Sequence, residues 1–253
     1  MKHILLAIFA AIILIFATSC AQHRKITNTQ HVPDTLYANI DASGSQLVIT
    51  LNQGAKHNHP TFAFWLEDLE GNFLQTLFVT RYLATGIYGH GDAGQGEWKR
   101  TEGEAIRPAT LPYWLHKRNI ENPVQALLPT PEQPVADAYT GATPKSNFIL
   151  VAKTDKKIPK KFRLLMEINQ PWDWNDYWTT LKYPDEPNYN PSAQPSLVYA
   201  VTIDTDCKNC EYFLNPIGHG HYSGKNGKLY TDLRTFTTAF NIVESVRLKS
   251  LKQ

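Results

Sequence analysis

Residues 61–80 limit the fold more than any other stretch of this chain. Thr61-Phe62-Ala63-Phe64-Trp65-Leu66-Glu67-Asp68 reads as a strand, Leu69-Glu70-Gly71-Asn72 as a turn, and Phe73-Leu74-Gln75-Thr76-Leu77-Phe78-Val79-Thr80 as the returning strand. Apolar residues fall on both faces of the pair. A sheet that holds such a hairpin is packed on one side and at least partly covered on the other.

The pattern recurs. Residues 35–40 and 46–51 read as the arms of a hairpin around Asp41-Ala42-Ser43-Gly44-Ser45. Residues 148–152, 161–169, 197–203, 212–218 and 241–249 read as further strands. The run 212–218 is expected to pair with 197–203 around Cys207 and Cys210. About eight or nine short strands, with turns every ten or so residues, predict an all-β fold, an immunoglobulin-like or fibronectin-like β-sandwich. In such sandwiches an early-strand Trp commonly fills the core, and Trp65 has the ring area to do so. The 16 Pro, 14 Gly and 12 Tyr of the 253 residues suit a turn-rich β chain. Residues 35–253 are expected to form one domain, broken by a loop-rich insertion over about 81–134. Its glycines (Gly86, Gly89, Gly91, Gly94, Gly96) are followed by no Lys-Ser/Thr pair and no helix start, which excludes a phosphate loop. Weak periodicity over Leu111, Trp114 and Leu115 predicts a short helix within 98–117, and 231–240 reads as a short helical or irregular segment.

The first residues belong to targeting. Residues 1–19 read as a signal peptide, with Lys2 and His3 ahead of an apolar run over 4–17 that is too short to span a bilayer comfortably. Ala17-Thr18-Ser19-Cys20 resembles a bacterial lipobox, whose cysteine becomes the acylated first residue of the mature protein. An ordinary secretory signal cut nearby is the other reading. Several acyl chains on Cys20 anchor stably where one chain does not. Ala21 after the cysteine resembles lipoproteins sent to an outer membrane. Residues 20–34, polar and basic, form a flexible tether. In that oxidising compartment Cys207 and Cys210 form a small disulfide loop. A redox-active dithiol would need a strand-to-helix context that is missing. The net charge of +2 offers no bulk attraction for nucleic acid.

Asp137-Ala138-Tyr139-Thr140-Gly141-Ala142-Thr143-Pro144 carries the sharpest chemical signal. One reading is a tight turn into a strand, with Gly141 free to take φ > 0 and Pro144 holding Thr143 extended. The other is a resemblance: Asp-x-x-Thr-Gly-Ala-Thr is similar to the acceptor motif at which extracytoplasmic redox proteins receive FMN from a flavin transferase. The resemblance implies a phosphoester on Thr143, with Asp137, Thr140, Gly141 and Ala142 around it. Tyr139 and Trp114 are the candidates to stack on the isoalloxazine. His57-Asn58-His59 and His219-Gly220-His221 each place two imidazoles on one strand face, a pattern for zinc or copper together with Asp68 or Asp92; both pairs also read as surface loop residues. Trp172 to Trp178, with Asp173, Asn175 and Asp176, fits either a sugar platform or core packing at a strand end. Neither a nucleophile elbow nor a zinc-protease helix motif exists.

Phe64-Trp65-Leu66-Glu67-Asp68 with Gly71, Tyr113-Trp114, the 137–144 octapeptide, Met166-Glu167-Ile168-Asn169 and Pro195-Ser196-Leu197-Val198-Tyr199 together resemble the domain of unknown function 2271 family of periplasmic proteins. The resemblance covers roughly 35–249. It implies an envelope β-sandwich and no particular reaction. Relatives tend to have a glycine after the octapeptide, where this chain has Lys145-Ser146-Asn147. The expectation is a lipid-anchored accessory in extracytoplasmic electron transfer with covalent FMN and redox partners. The competing expectation is a cofactor-free binding or assembly lipoprotein for a sugar or a protein.

Overall fold

The computed structural model describes residues 33–94, 97–120, 127–207 and 210–252, without the side chains of 119 and 120. The expected signal peptide, Cys20 and nearly all of the expected tether lie outside the described residues. Among the described residues no helix is long and apolar enough to cross a membrane.

The described chain from Pro33 onward is an all-β sandwich of two mixed sheets. In chain order the strands are β1 (Asp34–Ala38), β2 (Gln46–Gln53), β3 (Thr61–Glu67), β4 (Phe73–Thr80), β5 (Thr140–Gly141), β6 (Phe148–Lys153), β7 (Lys161–Asn169), β8 (Leu197–Asp204), β9 (Tyr212–Phe213), β10 (Asn215–His219) and β11 (Val243–Lys252). One sheet runs β1-β6-β2-β11-β9 and the other β10-β8-β7-β3-β4-β5. Pairing is antiparallel except where β1 runs parallel to β6 and β5 parallel to β4. Nine of these strands, among the described residues, run for five residues or more, as the periodicity implied.

Two strand pairings differ from expectation. β1 and β2 do not form a hairpin; they flank β6 on opposite sides. The loop between them wraps the end of β6 instead of closing on itself. The Asn39 side chain donates to the Lys153 carbonyl, and the Gly44 and Ser45 amides donate to the carbonyl and hydroxyl of Thr154. A Cβ on Gly44 would stand 2.1 Å from the Thr154 carbonyl oxygen, so the wrap requires glycine. The 212–218 run also divides. β9 joins β11 in one sheet, β10 joins β8 in the other, and buried Leu214 crosses between them with its amide on the Val246 carbonyl.

β3 is buried along its whole length. Phe62, Phe64 and Leu66 face the space between the sheets, where Phe62 stacks on Phe78 at 5.5 Å and on Phe148 of the opposite sheet at 5.3 Å. Period-two alternation then sends Ala63 and Trp65 to the other side. Trp65 is therefore buried, but not in the sandwich core where it was expected. It lies under the insertion, in a second apolar cluster with Leu83, Leu111, Trp114, Leu115, Leu165 and Val198.

The insertion contributes α1 (Arg81–Thr85), two short hairpins and α2 (Pro112–Ile120). The helix expected within 98–117 is thus α2, shifted toward its C-terminal end by the proline that fits a first helical position. The second expected segment is a 3₁₀ turn over Thr238–Asn241. Two buried glutamates on the outer face of the six-stranded sheet hold α2. Glu167 on β7 accepts the amides of Tyr113 at 3.1 Å and Trp114 at 2.7 Å and the hydroxyl of Ser196. Those amides are among the helix's unpaired first donors. Glu67 on β3 accepts from Trp65 Nε1 at 3.0 Å and pairs with Arg163 at 3.0 Å and Lys117 at 3.6 Å. Lys117 also donates to the Gly71 carbonyl at 2.6 Å, fastening the later turns of α2 to the β3–β4 turn.

Burial pushes the Glu167 carboxyl up to about 7 from 4.5, against the three hydrogen bonds that favour the carboxylate. A raised folded value gives stability that is complete below about 4.5 and is lost as the pH rises through about 7. At about 1.4 kcal/mol per unit the loss is ~3 kcal/mol across that window. From pH 5 to pH 8 the melting temperature of the parent should fall relative to that of Glu167→Gln. Equal slopes in calorimetry of the two proteins would contradict this assignment.

Candidate functional site

The octapeptide forms the outer edge of the six-stranded sheet. Asp137–Tyr139 is a 3₁₀ turn, fixed by the Ala138 carbonyl accepting the Asn39 amide at 2.7 Å. β5 follows, and its two residues pair with Val79 and Thr80 at the end of β4. Thr140 is buried and donates its hydroxyl to the Asp137 carbonyl at 3.3 Å. Gly141 lies on Phe78; a Cβ there would meet the ring at 2.8 Å. Its role is close packing, not a positive φ, since it is absent from the left-handed glycines.

Past β5 the chain turns outward. Ala142 is exposed, Thr143 is half-buried, and Pro144 is buried. Thr143 makes no side-chain hydrogen bond among the described residues, and the exposed Asp137 carboxylate likewise has no partner among them. The Pro144 carbonyl is held by His57, whose Nε2 lies 3.1 Å from it while Nδ1 lies 3.1 Å from the Ile242 carbonyl. The segment that presents Thr143 is therefore fixed on both sides, by β4 through β5 and by His57 through Pro144.

Of the two expected stacking partners, Trp114 is not available. Trp114 is fully buried in the second cluster, with its indole N–H on Thr76 Oγ1 at 3.1 Å; that expectation is corrected. Tyr139 donates its hydroxyl to Asp155 at 2.7 Å, and partial burial with that carboxylate pushes the phenol up to about 12.

The histidine pairs lie in separate settings. His57 ties two carbonyls together, and His59 stands at φ 52 with its Nδ1 on the Asn58 side chain. His219 stacks on Tyr230 at 5.3 Å, and His221 on Tyr222 at 4.5 Å with Nδ1 accepting the Ser223 amide. Burial pulls both His219 and His221 below the usual imidazole range. Among the described residues no group of three or more His, Cys, Asp or Glu gathers to hold a metal. Cys207 and Cys210 are joined as a disulfide, Cα atoms 5.6 Å apart.

The 172–178 cluster separates into core and surface. Trp178 packs on Tyr189 and Phe236 in the sandwich core, and Asn175 binds Gln194 and the 235–237 loop. Tyr177 is exposed, and so is Trp172. Trp172 joins Tyr82, Tyr88, Trp98 and Arg107 of the insertion around a cavity of about 330 Å³. The sequence alone does not assemble that group, because its members are spread over ninety residues and only the folded insertion brings them together.

No family model, curated protein or solved structure matches the chain. The edge strand itself supplies a test. Gly141→Ala should lower the unfolding free energy by about 1–3 kcal/mol through overpacking against Phe78. Ala142→Ser, at an exposed position, should change it by no more than about 0.5 kcal/mol. Urea titration of both variants reads the difference.

Proposed function

We propose that this chain is a lipid-anchored protein of the cell envelope that carries FMN on Thr143 and serves extracytoplasmic electron transfer. The observation that carries the reading is the Thr143 hydroxyl, half-exposed and unpaired among the described residues at the end of the Asp-x-x-Thr-Gly-Ala-Thr motif. A hydroxyl already engaged in the fold would have to surrender a hydrogen bond before it could react. Thr143 has none to surrender, whereas Thr140, three residues earlier, is buried and engaged.

Attachment forms one ester bond between Thr143 Oγ and the flavin phosphate. An activated flavin dinucleotide loses its other nucleotide as leaving group, and the hydroxyl proton departs with the transfer. Asp137, exposed at the other side of β5, is placed to hold a cation on the incoming pyrophosphate. β5 and His57 keep the acceptor segment from collapsing onto the sheet. Once attached, the flavin supplies one- or two-electron transfer, and the protein supplies position and environment. The lipobox-like Cys20 and the tether place the carrier at a membrane, consistent with a family resemblance to envelope proteins.

Co-expression with a flavin transferase tests this reading. The denatured band should fluoresce as flavin in the parent and in Thr143→Ser, and be dark in Thr143→Ala. A dark parent band, or a label that survives Thr143→Ala, overturns it.

A further inference from the structure

Arg107 sits in an unusual position for a charged residue. Its guanidinium carbon lies 4.4 Å from the Tyr88 ring centre and 4.6 Å from that of Trp98, within cation–π range of both rings. The short hairpins of the insertion place those rings: Ile87–Tyr88 pairs with Gly103–Glu104, and Asp92–Gly94 with Glu97–Trp98. No carboxylate is within ion-pair distance of Arg107 among the described residues. Its buried Nε has no acceptor, and its one hydrogen bond is a long 3.4 Å contact to the His90 carbonyl. Partial burial pulls the guanidinium below its ordinary value, with Tyr88 and Asp92 opposing. The Tyr88 hydroxyl is buried beside Thr110 on the same cavity wall. A desolvated polar group without an acceptor costs stability.

The cavity beside them, about 330 Å³, lies within the size range of small-molecule sites. Trp172 and Tyr82 on its wall are 51% and 43% exposed, so apolar ring surface is open to a ligand. Trp172, which lines this cavity, stands at φ 62, a left-handed position that a side chain of this size avoids. The surrounding fold enforces the Trp172 conformation, with its amide on the Pro191 carbonyl at 3.1 Å.

We infer that this cavity binds a small ring-bearing organic acid, with its carboxylate on Arg107 and its ring against Trp172 and Tyr82. Arginine offers a planar two-pronged donor that matches a carboxylate. The exposed aromatic surfaces accept either a flat aromatic ring or the apolar face of a sugar acid. The inference is independent of flavin at Thr143.

Binding is measured by titration calorimetry on Thr143→Ala protein, which removes the proposed attachment point. The probes are benzoate, glucuronate and, as the uncharged control, benzyl alcohol. Saturable one-to-one binding of benzoate or glucuronate, and none of benzyl alcohol, is expected. Preference between the two acids sorts aromatic acids from sugar acids. Arg107→Gln should weaken binding about tenfold or more. Trp172→Ala, at an exposed position, should weaken it severalfold while leaving the melting temperature in place. Absence of saturable binding by both acids overturns the inference, as does an Arg107→Gln affinity within twofold of the parent.

Discussion

Glu167 is a fully buried carboxyl whose acceptors are taken up by the first amides of a helix and by one serine hydroxyl. Helix starts leave amides unpaired, and burying them without an acceptor is costly. Here the acceptor comes from the middle of a strand, so α2 begins where β7 dictates. Glu67 does the same for the other part of the helix through Lys117 and, on the sheet itself, through Trp65 and Arg163. The outer face of the six-stranded sheet is thereby both apolar at its centre and anchored at two polar points. Removing the insertion would expose Trp65, Leu165 and Val198 together with both carboxylates, so the insertion is part of the fold and not an ornament on it.

That covering decides where functional surface is left. The centre of the sheet is closed on one face by the opposing sheet and on the other by α2. What remains is the edge, where β5 adds two residues to β4 and the chain leaves the sheet through Ala142 and Thr143. The loop carrying His57 and His59 links this edge to the aromatic cavity: His57 holds the Pro144 carbonyl, and His59 lines the cavity two residues later. Edge and cavity are thus supported by one segment, although their chemistries are argued from different groups.

Nine strand runs were legible in the sequence because short apolar, β-branched and aromatic runs bounded by turn residues leave a local trace. Features that depend on distant partners left none. The hairpin expected of β1 and β2 gave way because Gly44 and Asn39 engage the end of β6. Trp65 was read as sandwich core, since its burial was evident but the face was not; Phe62, Phe64 and Leu66 had already claimed the inner side. Trp114 was a candidate to stack on the flavin until the fold placed it on the buried face of α2. The octapeptide showed its motif at once, yet the division of labour within it did not follow from the motif. Thr140 and Gly141 serve packing, while Ala142 and Thr143 face outward.

The account turns on whether this edge receives its flavin in the cell that makes it. The most direct measurement is the mass of the tryptic peptide of residues 119–145, from protein isolated from native membranes. A peptide heavier by one flavin mononucleotide, with the increment mapped to Thr143, is the predicted result. Peptides of unmodified mass, from cells that possess an active flavin transferase, would contradict it.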